Sequence, residues 1–362
     1  MEKPRNLNAP FLKILPQVQA LILITLCGLL VFFGTLHAPF QYDDAHAIVE
    51  NPYIKNLSEF QNEVGVQNIF NRSILLLSFS LNHEFGKLNV FGFHLINIFI
   101  HICVGVLLFL IARELIPIEP SPKPPRLRHL PLLASAIHMF NPVNVQAVTY
   151  LSNRSSLLAT LFYLLGFFYF IRFVHSLNSK EDWFHKLLNG SLFLLFLFLG
   201  AGTKAIIITL PVIALTYLWF RVPRPDAKIF LVGTGLILVP LAAYLFHRYT
   251  QLGGIFKIQA DPGSMSIDRV HYFLTQFHVL VFYYLSKFLF PLNLNFEPDV
   301  RLISGISDPR WSLGLISLII FAWGLCLQKS QLLKFAFFWF FITVLPTSSL
   351  IPLKQIASEH RT

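Results

Sequence analysis

Asp43 and Asp44 stand side by side in the stretch FQYDDAHAIVENP (40–52), directly behind an apolar run at 18–36. Adjacent carboxylates repel, which raises one pKa and makes a base usable near neutral pH. Both side chains are short, so such a base would be held at the rim of the apolar run. There it could take a proton from a hydroxyl presented from outside, next to a lipid head group presented by the bilayer. Tyr42 and His46 flank the pair and add hydrogen-bonding capacity. Two other readings fit the same residues. The acids could simply keep a loop wet, or they could hold a divalent cation through oxygen ligands, for which two carboxylates are few.

The remaining candidates are bases and imidazoles. GAGTK (200–204) lacks the Gly-Lys-Ser/Thr order of a phosphate loop, so that reading is rejected. Lys204 is left with two readings, a phosphate contact or an interfacial anchor. GFHLINIFIH places His94, Asn97 and His101 on one helix face. Asn97 and His101 read as structural pairing inside a bundle, and His94, nearer the rim, as the site candidate. Glu359, His360 and Arg361 form a charged triplet that would anchor a helix end or grip a phosphate through the guanidinium fork. Arg72 and Arg154 are read in the same way. Four Asn-x-Ser triplets are given no weight, because they arise often by chance.

The elements that must position these groups are apolar helices. The chain is 55% hydrophobic, 15% aromatic and 13% charged, where a soluble domain carries about 25% charged residues. Apolar runs near twenty residues recur, each long enough to cross a hydrocarbon core of about 30 Å. The fold class is therefore all-α, a polytopic helical integral membrane protein. A net charge of +10 could suggest nucleic-acid binding, but the bases gather in short loops between apolar runs. That is the positive-inside pattern and excludes a nucleic-acid partner; the partner it implies is a lipid bilayer. Cys27, Cys103 and Cys326 all lie in apolar runs without spaced partners, so no disulfide frame or zinc site is indicated.

Charge placement gives the topology. An N-terminus with Lys3, Arg5 and Lys13 stays inside, and 18–36 is a retained first helix rather than a cleaved leader. The first outer loop, 37–90, holds six acids, and within it 72–82 is apolar but too short to span, hence interfacial. Further helices are expected at 91–111, 130–140, 155–173, 187–202, 206–220, 229–246, 312–327 and 335–351, about nine spans in all. A second outer region, 247–310, contains 271–290. That segment either spans or lies flat; the flat reading is preferred because it keeps the bases of QKSQLLK (328–334) inside. Residues 1–362 read as a single transmembrane domain without internal repeat or soluble part. The chain closes soon after an apolar stretch, as expected of a truncation.

In order, the pieces FQYDDAHAIVENP, RSILLLSFSLNHEFG, GFHLINIFIH, NPVNVQAVTYLSNRSSLLA, GTKAIIITLPV and LPTSSLIPLKQIASEHRT resemble the membrane half of the C-type (GT-C) glycosyltransferases. They are most similar to the transmembrane, TPR-repeat-containing O-mannosyltransferases and their bacterial relatives. The resemblance runs over nearly the whole chain; the acidic pair, GFHLIN and the closing EHR are its most specific parts. It implies a polyprenyl-phosphate sugar donor with a mannose-like hexose, a hydroxyl acceptor on protein or glycan, and an active face that is periplasmic or lumenal. It also implies that Asp43 and Asp44 match the family's acidic motif, which activates the acceptor hydroxyl, and that Arg72, Arg154 and Arg361 hold the lipid phosphate. No cofactor is implied with certainty; a divalent cation at Asp43 and Asp44 is an open possibility. The chain departs from the family at Ser73, where Pro is common, at Ala205, where Glu is common, and in lacking the further helices and TPR repeats. Rival readings are a related enzyme acting on oligosaccharides or cell-envelope lipids, and a catalytically degenerate scaffold. A transporter would want carboxylates at mid-membrane and symmetric halves, and has neither. The short outer segment after 246 favours a bacterial inner membrane over an endoplasmic reticulum membrane.

Overall fold

A computed structural model describes residues 9–61, 72–116, 125–178, 182–221, 231–238, 242, 267–348, 352–353 and 355–358. Among these the chain is helical and contains no strand. The main helices are α1 (Ala9–Phe33), α2 (Ser73–Gly86), α3 (Val90–Leu115), α4 (Leu130–Phe140), α5 (Arg154–Asn178), α6 (Trp183–Ala201), α7 (Leu210–Arg221), α8 (Arg269–His278), α9 (Pro309–Leu327) and α10 (Gln331–Val344). A 3₁₀ turn, Ala205–Thr209, leads into α7, and α8 continues through a π-helical turn, Val279–Leu285, into Ser286–Leu289.

Among the described residues five helical stretches are long and apolar enough to cross a membrane: Pro16–Phe33, Val90–Leu115, Leu151–Leu177, Trp183–Ala201 and Pro309–Leu327. Ala205–Phe220 and Gln331–Val344 are shorter apolar helices. The protein is thus a helical membrane protein. Of the nine expected spans, 206–220 and 335–351 are these two shorter helices, and two more differ for separate reasons. The helix at 130–140 forms between the bounds read from the sequence, but eleven residues at 1.5 Å rise reach only about half of the hydrocarbon core. The helix expected at 229–246 lies mostly outside the described residues, of which 231–238 and 242 are helical. Segment 271–290 is helical, and its polar residues keep it out of the five.

The core explains the order of packing. α5 carries Phe167, Phe170, Ile171 and Val174, all fully buried, and packs against α6, α3 and α7. α10 joins this core through Phe335 and Trp339, whose rings lie 6.0 and 4.7 Å from that of Phe167. α1, α3 and α4 close on one another where Met139 of α4 fits between Gly28 and Gly105; a Cβ at either glycine would press on its thioether or methyl group. Gly314 lets α9 approach the backbone of α8, because a Cβ there would lie 2.8 Å from the His278 nitrogen and nearer still to the Phe277 carbonyl. Small residues are what permit such approach between helices in lipid.

The loop that follows α1 is tied down from within. A π turn, Ala45–Val49, follows the acidic pair and buries Ile48, and Pro52–Lys55 buries Ile54. Both isoleucines belong to the same core as Phe79 of α2. The start of α2 is fixed to the turn after α6, where Ile74 N–H and Leu75 N–H donate to the Gly202 carbonyl at 3.0 and 3.3 Å.

Candidate active site

The two adjacent acids face different surroundings. Asp44 is 1% exposed. One of its carboxylate oxygens accepts from Gln41 N–H at 3.1 Å, and the other from Ser152 N–H at 2.7 Å. Burial raises its pKa above the usual carboxylate value, and the backbone N–H donors oppose that shift. The cause of the raised pKa is therefore desolvation, not the like-charge repulsion expected from the sequence. Asp43 is exposed, and its own backbone N–H donates to the Tyr150 hydroxyl at 2.9 Å. Both Asp44 oxygens are thus engaged by backbone N–H groups, while Asp43 meets solvent. Among the described residues no group of three or more His, Cys, Asp or Glu could hold a metal ion.

The segment that receives Asp44 organises the rest. Tyr150 leads into a 3₁₀ turn, Leu151–Asn153, and then α5. Ser and Asn here supply the short polar side chains and open backbone N–H groups of a helix start. Ser152 holds Asp44; two residues beyond Arg154, Ser156 Oγ accepts from Lys204 Nζ at 2.8 Å. Lys204 belongs to the 202–204 turn whose Gly202 carbonyl binds the first turn of α2, and Arg72 immediately precedes that helix. The fold therefore gathers Asp43, Asp44, Lys204 and Arg72 around the N-terminal end of α5, from three separate parts of the chain. Arg72 is exposed and left-handed at φ 61°. So is Tyr42, at φ 47°. Non-glycine residues rarely adopt that region, and such strain concentrates at functional sites.

Arg154 is placed differently from the expectation of a rim phosphate contact. It is fully buried, and its guanidinium donates to Asn97 Oδ1 (2.7 Å), Asn82 Oδ1 (2.9 Å), the Phe93 carbonyl (2.9 Å) and the Ser78 carbonyl (3.3 Å). The Phe79 and Phe93 rings lie 4.6 and 5.4 Å from it, a cation–π setting. Every arm of the fork is committed inside, so Arg154 fastens α2 and α3 to the start of α5. His94 is likewise 1% exposed, and its Nε2–H donates to the Ala38 carbonyl at 3.1 Å, anchoring the chain just ahead of the acidic motif. Asn97, read as structural pairing, bonds Arg154 and the Val148 carbonyl. His46 turns to Glu50, at 2.8 Å, and not to the acidic pair. Glu359, His360 and Arg361 lie outside the described residues.

Three residues of the site carried no sequence signal of their own. Tyr150 and Ser152 sit in NPVNVQAVTYLSNRSSLLA, where the resemblance to the family singled out Arg154 and not these two. Phe296, in the loop after 289, stacks on Tyr42 with ring centroids 4.5 Å apart. Nothing local in the sequence marks Phe296, because its partner lies more than 250 positions away.

Comparison with known proteins gives relatives of one kind. The chain is 29% identical over 162 residues to the protein O-mannosyl-transferase Tmtc1 of Drosophila melanogaster, a stretch that covers 41% of this chain and 18% of that protein. It is 22% identical over 315 residues to a protein O-mannosyl-transferase of Caenorhabditis elegans, covering 83% of this chain and 42% of that one. It is 27% identical over 206 residues to the protein O-mannosyl-transferase TMTC4 of Mus musculus, covering 52% and 27%. The chain thus spans less than half the length of the curated relatives it matches. No family model matches it, and no solved structure matches it.

Proposed function

We propose that this chain is a membrane-embedded glycosyltransferase that moves a mannose-like hexose from a polyprenyl-phosphate donor to a protein hydroxyl at the outer or lumenal membrane face. The observation that carries this reading is the arrangement at the N-terminal end of α5. An exposed carboxylate, Asp43, is held beside a buried one, Asp44, with Lys204 and Arg72 brought to the same helix end. The names of the relatives support the same chemistry.

In this mechanism Asp43 takes the proton from the acceptor hydroxyl while that oxygen attacks the anomeric carbon. The bond between the anomeric carbon and the phosphate oxygen breaks, and polyprenyl phosphate leaves with the electron pair. Lys204 and Arg72 meet the developing negative charge on that phosphate. One displacement inverts the anomeric centre. Asp44 does not touch substrate; it fixes the Asp43 backbone against the start of α5. Arg154 and His94 act behind the site by holding its elements.

A retired scaffold is the second reading, favoured by Ala205, which stands exposed at the start of its 3₁₀ turn with no carboxylate to contribute. As to location, the relatives described above are animal proteins, which lends no support to a bacterial inner membrane. Much of the segment that favoured it, 247–266, lies outside the described residues.

The test is transfer from a panel of labelled polyprenyl-phosphate monosaccharides in purified membranes, with wild type beside Asp43→Asn. The wild type transfers one sugar, and the variant loses about 10²- to 10⁴-fold in kcat, the usual contribution of a positioned base. A wild type that turns over none of the donors leaves the scaffold reading.

A further inference from the structure

Tyr42 carries a ring that is exposed and yet held in place. Its backbone is left-handed at φ 47°, in a turn closed by hydrogen bonds from Asp44 N–H to the Gln41 carbonyl at 2.9 Å and from Ala45 N–H to the Tyr42 carbonyl at 3.2 Å. The residue is 69% exposed. Its ring is nevertheless held. Phe296 stacks on one face at 4.5 Å with the planes 18° apart, and Tyr150 meets both rings edge-on, at 6.4 Å from Tyr42 and 5.0 Å from Phe296. Each support is fixed in turn. The Tyr150 hydroxyl accepts from Asp43 N–H, and Gln146 Nε2–H donates to the Phe296 carbonyl at 3.2 Å. The result is a clamped aromatic ring, one face covered and the other open, on the residue next to the exposed carboxylate. A tyrosine that only anchors a membrane interface needs no such clamp.

We propose that the open face of Tyr42 is a platform for the donor's sugar, and that the ligand it takes is a pyranose ring laid flat with a face of C–H bonds against the tyrosine. An aromatic face carries negative charge density, and C–H groups of a sugar carry a small positive one, so the two attract while the hydroxyls at the ring edge stay in water. Stacking here sets the ring beside Asp43, which turns an otherwise loosely tethered sugar into an oriented one. Phe296 and Tyr150 are positioning residues: they hold the platform and do not touch the sugar. This inference rests on the transferase reading for its choice of ligand.

The experiment uses the full chain in detergent and a short-chain polyprenyl-phosphate mannose as probe. Tyr42→Asn removes the ring but keeps a residue that tolerates the left-handed region; Tyr42→Phe keeps the ring. Two readouts are taken, equilibrium binding of the probe to proteins that also carry Asp43→Asn, and steady-state transfer. Tyr42→Asn weakens probe binding and raises the donor KM, each by about tenfold, with kcat within about threefold, and Tyr42→Phe restores both. Unchanged donor KM with lowered kcat would make Tyr42 a backbone device only, and a raised acceptor KM in place of the donor KM would make the platform the acceptor's; either overturns the proposal. The two levels fail separately. Turnover by the wild type with Tyr42→Asn binding the probe equally well removes the platform and leaves the transferase. Ring-dependent binding without turnover removes the transferase and leaves the platform. No binding and no turnover removes both.

Discussion

At the residue scale, the adjacent acids divide a task that the sequence assigns to them jointly. Asp44 is sealed in and accepts two backbone N–H groups, while Asp43 stays in solvent. A buried carboxylate whose folded pKa is raised contributes to stability in a definite direction. The contribution is present in full below its unfolded value of 3.8 and is lost as the pH rises through the raised folded value, because in that window the native state keeps a proton the unfolded chain has released. Thermal unfolding followed against pH should show this slope in the wild type. Asp44→Asn, which cannot titrate, should flatten it. The same variant should lower stability at neutral pH by about 1–3 kcal/mol, since an amide cannot accept from both Gln41 N–H and Ser152 N–H. An unchanged slope would mean that Asp44 is not the group that senses pH here.

At the element scale, the N-terminal end of α5 is the joint on which the site hangs. Arg154 is its fastening, a buried guanidinium whose partners come from α2 and α3 and are all neutral acceptors. Removing one side of such an arrangement leaves buried polar groups without their partner. Arg154→Ala should therefore cost on the order of 3–5 kcal/mol, read as a fall in the thermal midpoint of the detergent-solubilised protein. Arg154→Lys should recover little, because an ammonium on a flexible stem cannot reproduce a planar fork with acceptors on two helices. A direct phosphate contact would behave otherwise, with activity lost and the thermal midpoint kept. The strained backbone at Arg72 belongs to this scale too, since it turns the chain into α2 immediately before the Gly202 tie.

At the scale of the whole molecule, the site is meaningful only if the first outer loop and the α9–α10 connection face opposite sides of the membrane. Lys55 and Lys329 are both exposed and report on these two segments. With Cys27, Cys103 and Cys326 replaced by serine, Lys55→Cys should react with a membrane-impermeant maleimide from the face that carries Asp43. Lys329→Cys should react only from the other face. Labelling of both from one side would overturn the positive-inside topology and remove the base from the face where the donor is proposed to lie.

Much of this molecule is legible in its sequence, for a physical reason. Hydrocarbon forces each spanning segment to satisfy its own backbone hydrogen bonds, so helices and their approximate ends follow from runs of apolar side chains alone. That is why 130–140 forms as read and why 91–111 and 155–173 differ from α3 and α5 by a turn or so. Asp43 and Asp44 stand out for the same reason, as charges at the edge of an apolar run. Composition carries no information on which way a side chain turns once helices pack. Arg154 looks like a rim cation and becomes an interior fastening, because two helices surround its position with carbonyl and amide acceptors. Asp44 looks like the twin of Asp43 and becomes a cap for the segment entering α5. Phe296 reaches Tyr42 only because a distant loop folds back over the acidic motif. The sequence by itself determined the membrane, the helices and the acidic pair; the tertiary structure alone decided which acid meets solvent, since burial is a property of neighbours that the chain brings together from far apart.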